Sequence, residues 1–240
     1  MLAIETKKLT KKYKEKIAVN EINLKINQGE LFALLGTNGA GKTTTIKMLS
    51  TLILPTDGEI KINGLDIIKD RQKIKEILNV SPQETAIAPN LSVKENLEFM
   101  AGVYQISNPK EKINELIKMF KLDEVLNQKA KTLSGGWQRK VSIAISLINN
   151  PKILFLDEPT LGLDIIARKE LWTVIEKLKG KITIILTTHY MEEAESLSDR
   201  IGIMAKGKLI DTGTCKELIE KTNTKNFEEA FVKIATGGEL

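Results

Sequence analysis

Three uninterrupted apolar runs of strand length divide the chain, at positions 31–35, 153–156 and 182–186. Runs without polar alternation are typical of strands that are buried on both faces, as in a parallel sheet. Helical patterns lie between these runs, which predicts an α/β core. Segments 22–26 and 59–62 alternate apolar and polar residues, so we expect half-exposed antiparallel strands beside that core.

The middle of the chain has helical periodicity instead. A capping box at Ser92-Val-Lys-Glu95 predicts one helix start, and Asn108-Pro109 predicts a second. A third helix, apolar nearly all round and therefore buried, is predicted from Ser134 to about residue 149. We predict one domain over 1–240, made of an α/β core with an antiparallel β subdomain (1–83 and 151–220), a helical insert (84–150) and a C-terminal helical extension (221–240).

Composition narrows the function classes. With 42% hydrophobic and 28% charged residues, the 240-residue chain fits a soluble globular protein with a real core. Its net charge of +5 is spread along the chain, without a basic patch interleaved with aromatics, so we expect no nucleic-acid partner. Cys215 is the only cysteine, which favours a reducing compartment.

Membrane and secretion signals are also absent from the sequence. No apolar run approaches the length of about 18 residues that a spanning helix needs. The first residues lack the basic-then-apolar layout of a secretion signal. We therefore expect a cytoplasmic protein that depends on a partner for any membrane role.

The most specific motif is Gly36-Thr-Asn-Gly-Ala-Gly-Lys42-Thr43, which fits the P-loop pattern between a predicted strand and a predicted helix. Glycines let backbone N–H groups crowd around a polyphosphate, and the helix N-terminus adds about half a positive charge. Lys42 is expected to reach the β- and γ-phosphates, and the Thr43 hydroxyl to ligate Mg²⁺. The alternative, a glycine-rich turn that matches by chance, is roughly a 1-in-100 event before context is counted.

Two carboxylates, Asp157 and Glu158, end the second apolar run. Ligands bind at the carboxyl ends of strands in open α/β sheets. Asp157 is therefore placed to hold Mg²⁺, directly or through water. Alternation points Glu158 elsewhere, towards an attacking water, where a general base typically contributes about 10²–10⁴-fold. The alternative is an acidic strand end that caps the following helix.

A further glycine motif, Leu133-Ser-Gly-Gly136, lies between these two, and with it the chain resembles the ATP-binding subunits of ABC transporters over almost its entire length. Ser134 and the amides of Gly135 and Gly136 open a helix, which makes a phosphate cradle without a cationic side chain. The resemblance implies that this cradle closes on ATP held by the P-loop of a second subunit. As an ordinary capped helix start, the same residues would mean little.

The resemblance assigns roles to isolated residues that carry little signal alone. Tyr13 matches the aromatic residue that stacks on adenine, although a core tyrosine is the alternative. Gln83 matches the glutamine that joins the core to the helical subdomain and senses Mg²⁺ and water. Asp164 belongs to the loop that communicates across the dimer, and as an N-cap it also fits the start of a helix. His189, the only histidine, matches the histidine that contacts the γ-phosphate.

Two features refine the family prediction. Trp137 stands where Gln or Met is more usual, which affects the dimer surface rather than the cradle. The sequences of residues 187–195 and 198–201 are similar to those of the family branch that exports drugs, antibiotics, polysaccharides or sodium. The resemblance thus implies a P-loop NTPase core of the ABC ATPase type, with ATP and Mg²⁺ as cofactors.

The implied function is an ATPase that powers an ABC transporter by head-to-tail dimerisation, and the resemblance to that branch implies an exporter. The implied partners are an integral-membrane permease subunit and a second copy of the chain or a homologous ATPase subunit, at the cytoplasmic face of the membrane. A soluble ABC-type ATPase of DNA repair, translation or cluster assembly is the alternative, although such proteins usually carry two P-loops or a long coiled coil. An interaction-only subunit is a third possibility, and the presence of Glu158 and His189 argues against it.

The predicted site residues fall into three groups. They are Glu158, His189, Gln83 and Lys42 for catalysis; Tyr13, Gly36, Thr37, Asn38, Gly39, Ala40, Gly41, Lys42, Thr43, Thr44, Ser134, Gly135 and Gly136 for nucleotide binding; and Thr43, Gln83 and Asp157 for the metal.

Overall fold

Two β-sheets and a set of helices make up the fold, which a computed structural model describes for residues 1–238. The strands are β1 (Leu2–Tyr13), β2 (Lys16–Asn27), β3 (Leu31–Gly36), β4 (Asp57–Ile62), β5 (Leu65–Asp66), β6 (Leu78–Ser81), β7 (Ile153–Asp157), β8 (Thr183–Thr188), β9 (Arg200–Ala205) and β10 (Lys208–Gly213). The helices are α1 (Lys42–Leu49), α2 (Arg71–Ile77), α3 (Val93–Val103), α4 (Pro109–Phe120), α5 (Gly135–Ser146), α6 (Ile165–Leu178), α7 (Met191–Leu197), α8 (Cys215–Thr222) and α9 (Phe227–Thr236).

The two sheets differ in direction and in exposure. The smaller sheet is antiparallel, with strand order β2-β1-β4-β5, and its strands alternate buried and exposed residues as the pattern predicts. The larger sheet has the order β10-β9-β3-β8-β7-β6, in which every pair is parallel except the edge pair β10–β9. Strands β3, β7 and β8 are buried at every residue, which is why they lack alternation in the sequence.

Two hydrophobic clusters lie on opposite faces of the larger sheet. Along β3, Leu31, Ala33 and Leu35 belong to the cluster that includes residues of the helices α3 to α9. Phe32 and Leu34 belong to the cluster that includes the smaller sheet and α1. Successive side chains of a strand point to opposite faces, so this one buried strand joins both halves of the core.

Local sequence signals account for several helix starts. Ser92 and Glu95 form the predicted capping box of α3, and α4 begins at Pro109. Asp164 caps α6, because its Oδ1 accepts hydrogen bonds from the backbone N–H groups of Ile166 and Ala167. Helix α5 begins after Ser134 as predicted but ends at Ser146, three residues before the expected end.

The predicted subdomains stay a prediction. Helices α3, α4 and α5 fall within the expected insert, 84–150, and α5 packs against β6 of the core. The predicted C-terminal extension, 221–240, holds the end of α8 and all of α9, and its last two positions lie outside the described residues. Among residues 1–238, no helix is both long enough and apolar enough to cross a lipid bilayer.

The register of the larger sheet brings four strand ends together. Leu35 at the end of β3 pairs with Thr188 at the end of β8, and Asp157 at the end of β7 pairs with Thr187. On the far side of β7, Ser81 at the end of β6 pairs with Leu156. Loops that follow these strands therefore meet at one edge of the sheet.

Candidate active site

The P-loop connects β3 to α1 and can be formed only with glycine at two of its positions. A Cβ atom at Gly36 would lie 2.4 Å from the backbone oxygen of Met204. At Gly41, which has a φ of +103°, a Cβ atom would lie 2.6 Å from the backbone oxygen of Ala18. Both contacts are far too short, so bare backbone is required where the loop packs against β2 and β9. The same bare backbone leaves amide groups free to approach a phosphate.

The ammonium group of Lys42 lies between the P-loop and the end of β7. Its Nζ atom donates to the backbone oxygen of Gly36 at 2.7 Å and pairs with Oε1 of Glu158 at 3.2 Å. Both side chains are almost fully buried. Because an unpaired buried charge is costly, the lysine and the glutamate stabilise each other in this position.

Asp157 accepts hydrogen bonds from hydroxyl groups on two different elements. The Thr43 Oγ1 atom at the start of α1 lies 3.2 Å from Oδ1 of Asp157, and the hydroxyl of Thr187 in β8 donates to the same oxygen. A hydroxyl beside a carboxylate is a donor set that suits Mg²⁺ when phosphate oxygens and waters complete the octahedron. Within residues 1–238 no group of three His, Cys, Asp or Glu side chains could hold a metal by itself. The residues therefore fit an Mg²⁺ ion that is bound together with a polyphosphate.

Glu158 faces different partners from its neighbour Asp157. Its Oε2 atom accepts a hydrogen bond from Nδ1 of His189 at 2.7 Å, while Oε1 faces Lys42. The backbone of Glu158 has a φ of +48°, in the left-handed region that side-chain-bearing residues rarely adopt. Its backbone N–H is held by the carbonyl oxygen and the hydroxyl of Thr187. The glutamate is thus fixed at both its backbone and its carboxylate.

A cleft of about 690 Å³ brings most of the predicted site residues together. It is lined by the predicted residues Asn38, Gly39, Ala40, Gly41, Lys42, Thr43, Thr44, Gln83, Glu158 and His189. Gly36 and Thr37 are not in its lining, although their carbonyl groups both accept hydrogen bonds from Lys42. Asp157 lies just beneath it, in contact with Thr43.

Tyr13 lies near this cleft but not in its lining. It ends β1 and pairs across the hairpin with Lys16, which does line the cleft. Its ring is 47% exposed, with the Lys11 Nζ atom 5.3 Å from the ring centroid. The predicted contact of Tyr13 with adenine stays a prediction.

Several lining residues carry no signal in the sequence. They are Lys16, Ile17, Ala18, Leu161, Lys206 and Gly207. Gly207 reaches the cleft because its N–H donates to the backbone oxygen of Ala40 and its carbonyl accepts from Asn20. This turn between β9 and β10 meets the P-loop only through the tertiary fold, so no local pattern could have identified it.

Arg139 of α5 contacts the backbone behind the cleft. Its guanidinium donates to the carbonyl groups of Asp157, Pro159, Pro82 and Gln83. Burial lowers the pKa of Arg139 to about 10, against the opposing effect of the carboxylates of Asp157, Glu193 and Glu158. The group therefore remains charged at neutral pH. No sequence signal marks this residue, since a lone arginine on a helix is usually solvent-exposed.

The Ser134 cradle lines a different, shallower depression of about 360 Å³, together with Trp137, Lys140 and residues of α6. Ser134 is the exposed N-cap of α5, and its hydroxyl makes no capping hydrogen bond. Gly136 packs closely on α6, since a Cβ atom there would lie 3.2 Å from Cβ of Ala167. Gly135 is exposed and is not in the lining. One copy of the chain does not bring this cradle to its own P-loop cleft.

Trp137, the unusual residue of the cradle, is held by a buried lysine. The Lys140 Nζ atom lies 4.3 Å from the centroid of the indole ring and 2.6 Å from Oε2 of Glu170. The hydrogen bond from Lys140 lowers the pKa of the Glu170 carboxyl. The indole therefore has a fixed orientation at the edge of the depression.

The family model described as ABC transporter matches residues 19–161. The chain belongs to the ABC transporter family. The human protein named Phospholipid-transporting ATPase ABCA3 is 42% identical over 210 residues, which cover 87% of this chain and 12% of that protein. In Escherichia coli (strain K12), the Probable multidrug ABC transporter ATP-binding protein YbhF is 38% identical over 239 residues, which cover 96% of this chain and 41% of that protein. This ABC transporter chain thus spans less than half the length of either relative.

Solved ABC structures have the same fold. One, described as the dimeric structure of a post-hydrolysis state of the ATP-binding cassette MJ0796 bound to ADP and Pi, matches with a TM-score of 0.79 and 28% identity. The match covers 88% of this chain and 98% of that one. The predicted fold class, an ABC ATPase with an antiparallel sheet and helices beside its α/β core, is confirmed. The roles of individual residues in this ABC transporter chain stay predictions.

Proposed function

We propose that this chain binds and hydrolyses ATP to power an ABC transporter. The observation that carries the proposal is the position of Glu158, whose carboxylate lies between Lys42 of the P-loop and His189 in the wall of one cleft. A buried carboxylate that is held beside a phosphate-binding loop has the geometry of a general base for attack on a γ-phosphate.

Different residues of the cleft have different roles in phosphoryl transfer. P-loop amides and Lys42 bind the phosphates and offset charge on the transferred group, and positioning and electrostatics supply most of the rate. Glu158 accepts the proton of the attacking water. The hydrogen bond from Nδ1 of His189 orients that carboxylate and leaves Nε2 as the other hydrogen-bonding atom of the ring.

Thr43 and Asp157 would hold Mg²⁺, with Gln83 as a further ligand from the loop after β6. The ion supplies charge neutralisation on the β- and γ-phosphate oxygens when it is bound. The contact between the Thr43 hydroxyl and Oδ1 of Asp157 already places both donors side by side.

A complete site requires a second copy of the chain or a homologous ATPase subunit. The cradle of Ser134 to Gly136 and the P-loop line separate cavities of one chain. A head-to-tail pair would set the cradle of one subunit over ATP in the cleft of the other. The similar cassette MJ0796 is described as dimeric with ADP and Pi, which supports this arrangement. ATP would then join the subunits, and hydrolysis would release them.

Transport is proposed from the names of the relatives. YbhF is named a probable multidrug ABC transporter ATP-binding protein, and ABCA3 a phospholipid-transporting ATPase. The multidrug transporter name agrees with the exporter branch that the sequence resembles, and we propose export on that resemblance. On this proposal the chain lies at the cytoplasmic face of a membrane against an integral-membrane permease, which takes up the movement of the dimer.

The substitution Glu158→Gln tests the catalytic role. We expect it to bind ATP normally, to hydrolyse it roughly 10²-fold or more slowly, and to accumulate ATP-bound dimers, because the amide cannot accept the proton. Steady-state ATPase assays and light scattering measure these effects. Glu176→Gln, an exposed change on α6, is the matched control and should leave both unchanged. Near-normal turnover of Glu158→Gln would refute the assignment.

A further inference from the structure

The guanidinium of Arg139 is buried and bonded only to backbone. The residue is 4% exposed, and its hydrogen bonds all go to carbonyl oxygens of two turns. The Nη2 atom donates to the oxygen of Asp157 at 2.7 Å, and Nε donates to the oxygen of Pro159 at 2.8 Å. The Nη1 atom donates to the oxygen of Pro82 and, at 3.3 Å, to that of Gln83. The nearby carboxylates of Asp157, Glu193 and Glu158 favour the charge of Arg139 without accepting a hydrogen bond from it.

Two of these bonds span Glu158. The carbonyl groups of Asp157 and Pro159 belong to the residues immediately before and after it, so one planar fork holds the backbone on both sides. Glu158 has a φ of +48°, a conformation that a glutamate keeps only when its surroundings enforce it. Arg139 contributes to holding this conformation from outside the sheet, and Thr187 contributes from β8.

The other two bonds hold the turn that leads to Gln83. Gln83 lines the same cleft as Glu158 but lies in the loop after a different strand, β6. One guanidinium therefore fixes two separate turns of the cleft relative to each other. Arg139 also belongs to α5, whose N-cap is Ser134, five positions earlier. Its hydrogen bonds therefore connect both turns to the helix that begins at the cradle.

We propose that Arg139 is the positioning residue for Glu158 and Gln83, which holds the catalytic turn and ties it to the cradle helix. The proposal rests on the proposed function. Arg139 contacts no nucleotide in this arrangement, since it is not in the cleft lining and meets only backbone. Its loss should therefore lower kcat while the binding of ATP to the P-loop persists.

The hydrogen-bonding groups of the side chain at position 139 determine how much kcat each variant should lose. Arginine offers several N–H donors in a rigid plane, while lysine offers one compact ammonium group that cannot reach all the carbonyls together. Arg139→Lys should lower kcat by about tenfold, and Arg139→Met, which removes every donor, by about 10²-fold. Equilibrium ATP binding should stay within about twofold of the parent in both variants.

Arg71→Met is the matched control. Arg71 likewise donates from Nη2 to a backbone oxygen, that of Thr51 at 2.7 Å, but it lies outside the cleft. It should reduce thermal stability without changing kcat per folded molecule. If Arg139→Met and Arg139→Lys lower kcat no more than Arg71→Met does at equal folded fraction, the positioning role is wrong.

A double-mutant cycle separates positioning from general damage. If Arg139 acts through Glu158, adding Arg139→Met to Glu158→Gln should lower the residual single-turnover rate by less than about threefold. An equal fold-loss in both backgrounds would overturn the proposal. If Arg139→Met does not fold, Arg139→Lys takes its place in the cycle. Full activity of Glu158→Gln alone would instead refute Glu158 as the base, and a parent protein without ATPase activity would refute the proposed function, so these failures can be told apart.

Discussion

The charged residues of the site show how burial gives an ordinary side chain its role. Glu158 and Lys42 are each less than 10% exposed, and their charges are 3.2 Å apart. Removing one partner of such a pair typically costs about 3–5 kcal/mol, because the other charge stays buried. This mutual dependence keeps the proposed base and the lysine of the P-loop together, so the cleft is organised around its own ion pair.

Glu193 of α7 is a second buried carboxyl beside the site, and it should make stability depend on pH. It is fully buried, and its Oε1 atom accepts a hydrogen bond from Nε1 of Trp172 at 3.1 Å. Burial raises the pKa of Glu193 above its usual value of 4.5, and the charge of Glu158 adds to the rise. A raised pKa in the folded state stabilises the protein fully below that usual value, and this contribution is lost as pH rises through the raised pKa.

Glu193→Gln should remove that dependence, because an amide does not ionise. We expect the melting temperature of the variant, relative to the parent, to rise by about 2–4 °C or more between pH 5 and pH 8. Thermal unfolding followed by circular dichroism across this range measures the difference. Glu192→Gln changes a neighbouring carboxyl that is 67% exposed. The difference in melting temperature between this variant and the parent should therefore not vary with pH. If the melting temperatures of the parent and of Glu193→Gln changed in parallel with pH, the proposed effect of Glu193 would be wrong.

At the scale of elements, one asparagine on α3 holds the loop between β6 and that helix. Asn96 is 2% exposed, and its Oδ1 atom accepts from the N–H of Ala88 at 2.8 Å. Its Nδ2 atom donates to the carbonyls of Ala88, Leu91 and Ser92. The loop directly follows Gln83, so its shape decides where the chain leaves the cleft.

Asn96→Ala should lower the free energy of unfolding by about 1–3 kcal/mol, since it leaves buried N–H and C=O groups without partners. Urea denaturation gives the value. Asn90→Ala is the control in the same loop, because Asn90 is exposed and bonds only the Lys131 ammonium, so its effect should stay within about 0.5 kcal/mol. Equal losses for both variants would show that the loop is not held in this way.

Elements with local signals could be predicted from the sequence, and contacts between elements could not. The buried strands, the capping box at Ser92 and the P-loop all have patterns a few residues long. Lys206 lines the cleft and Arg139 contacts Asp157 because of the order of the strands in the sheet. No short sequence pattern encodes that order. The pairing of Lys42 with Glu158, 116 positions apart, is likewise a consequence of sheet register.

At the scale of the whole molecule, the P-loop and the Ser134 cradle have different surroundings. The P-loop cleft lies at the carboxyl edge of the larger sheet, and the Ser134 cradle lies beside α6 with Ile165 and Ile166 exposed nearby. Two exposed apolar side chains next to a charged helix start are consistent with a surface that a second subunit covers. A site shared between copies makes turnover depend on association.

Mixing two inactive variants tests this sharing. Ser134→Arg should bind ATP in its intact P-loop but fail to dimerise, because the added side chain fills the cradle, while Lys42→Ala keeps the cradle and loses the lysine. A mixed pair would contain one intact P-loop opposite one intact cradle. One of the two sites in each mixed pair would be complete, so ATPase activity absent from either variant should return on mixing, at up to about half of the parent's value. Ser107→Arg adds the same charge at an exposed loop position and should leave light-scattering dimer fractions unchanged. A mixture as inactive as its components, or a Ser134→Arg chain that dimerises normally with ATP, would mean that the nucleotide is not shared between copies.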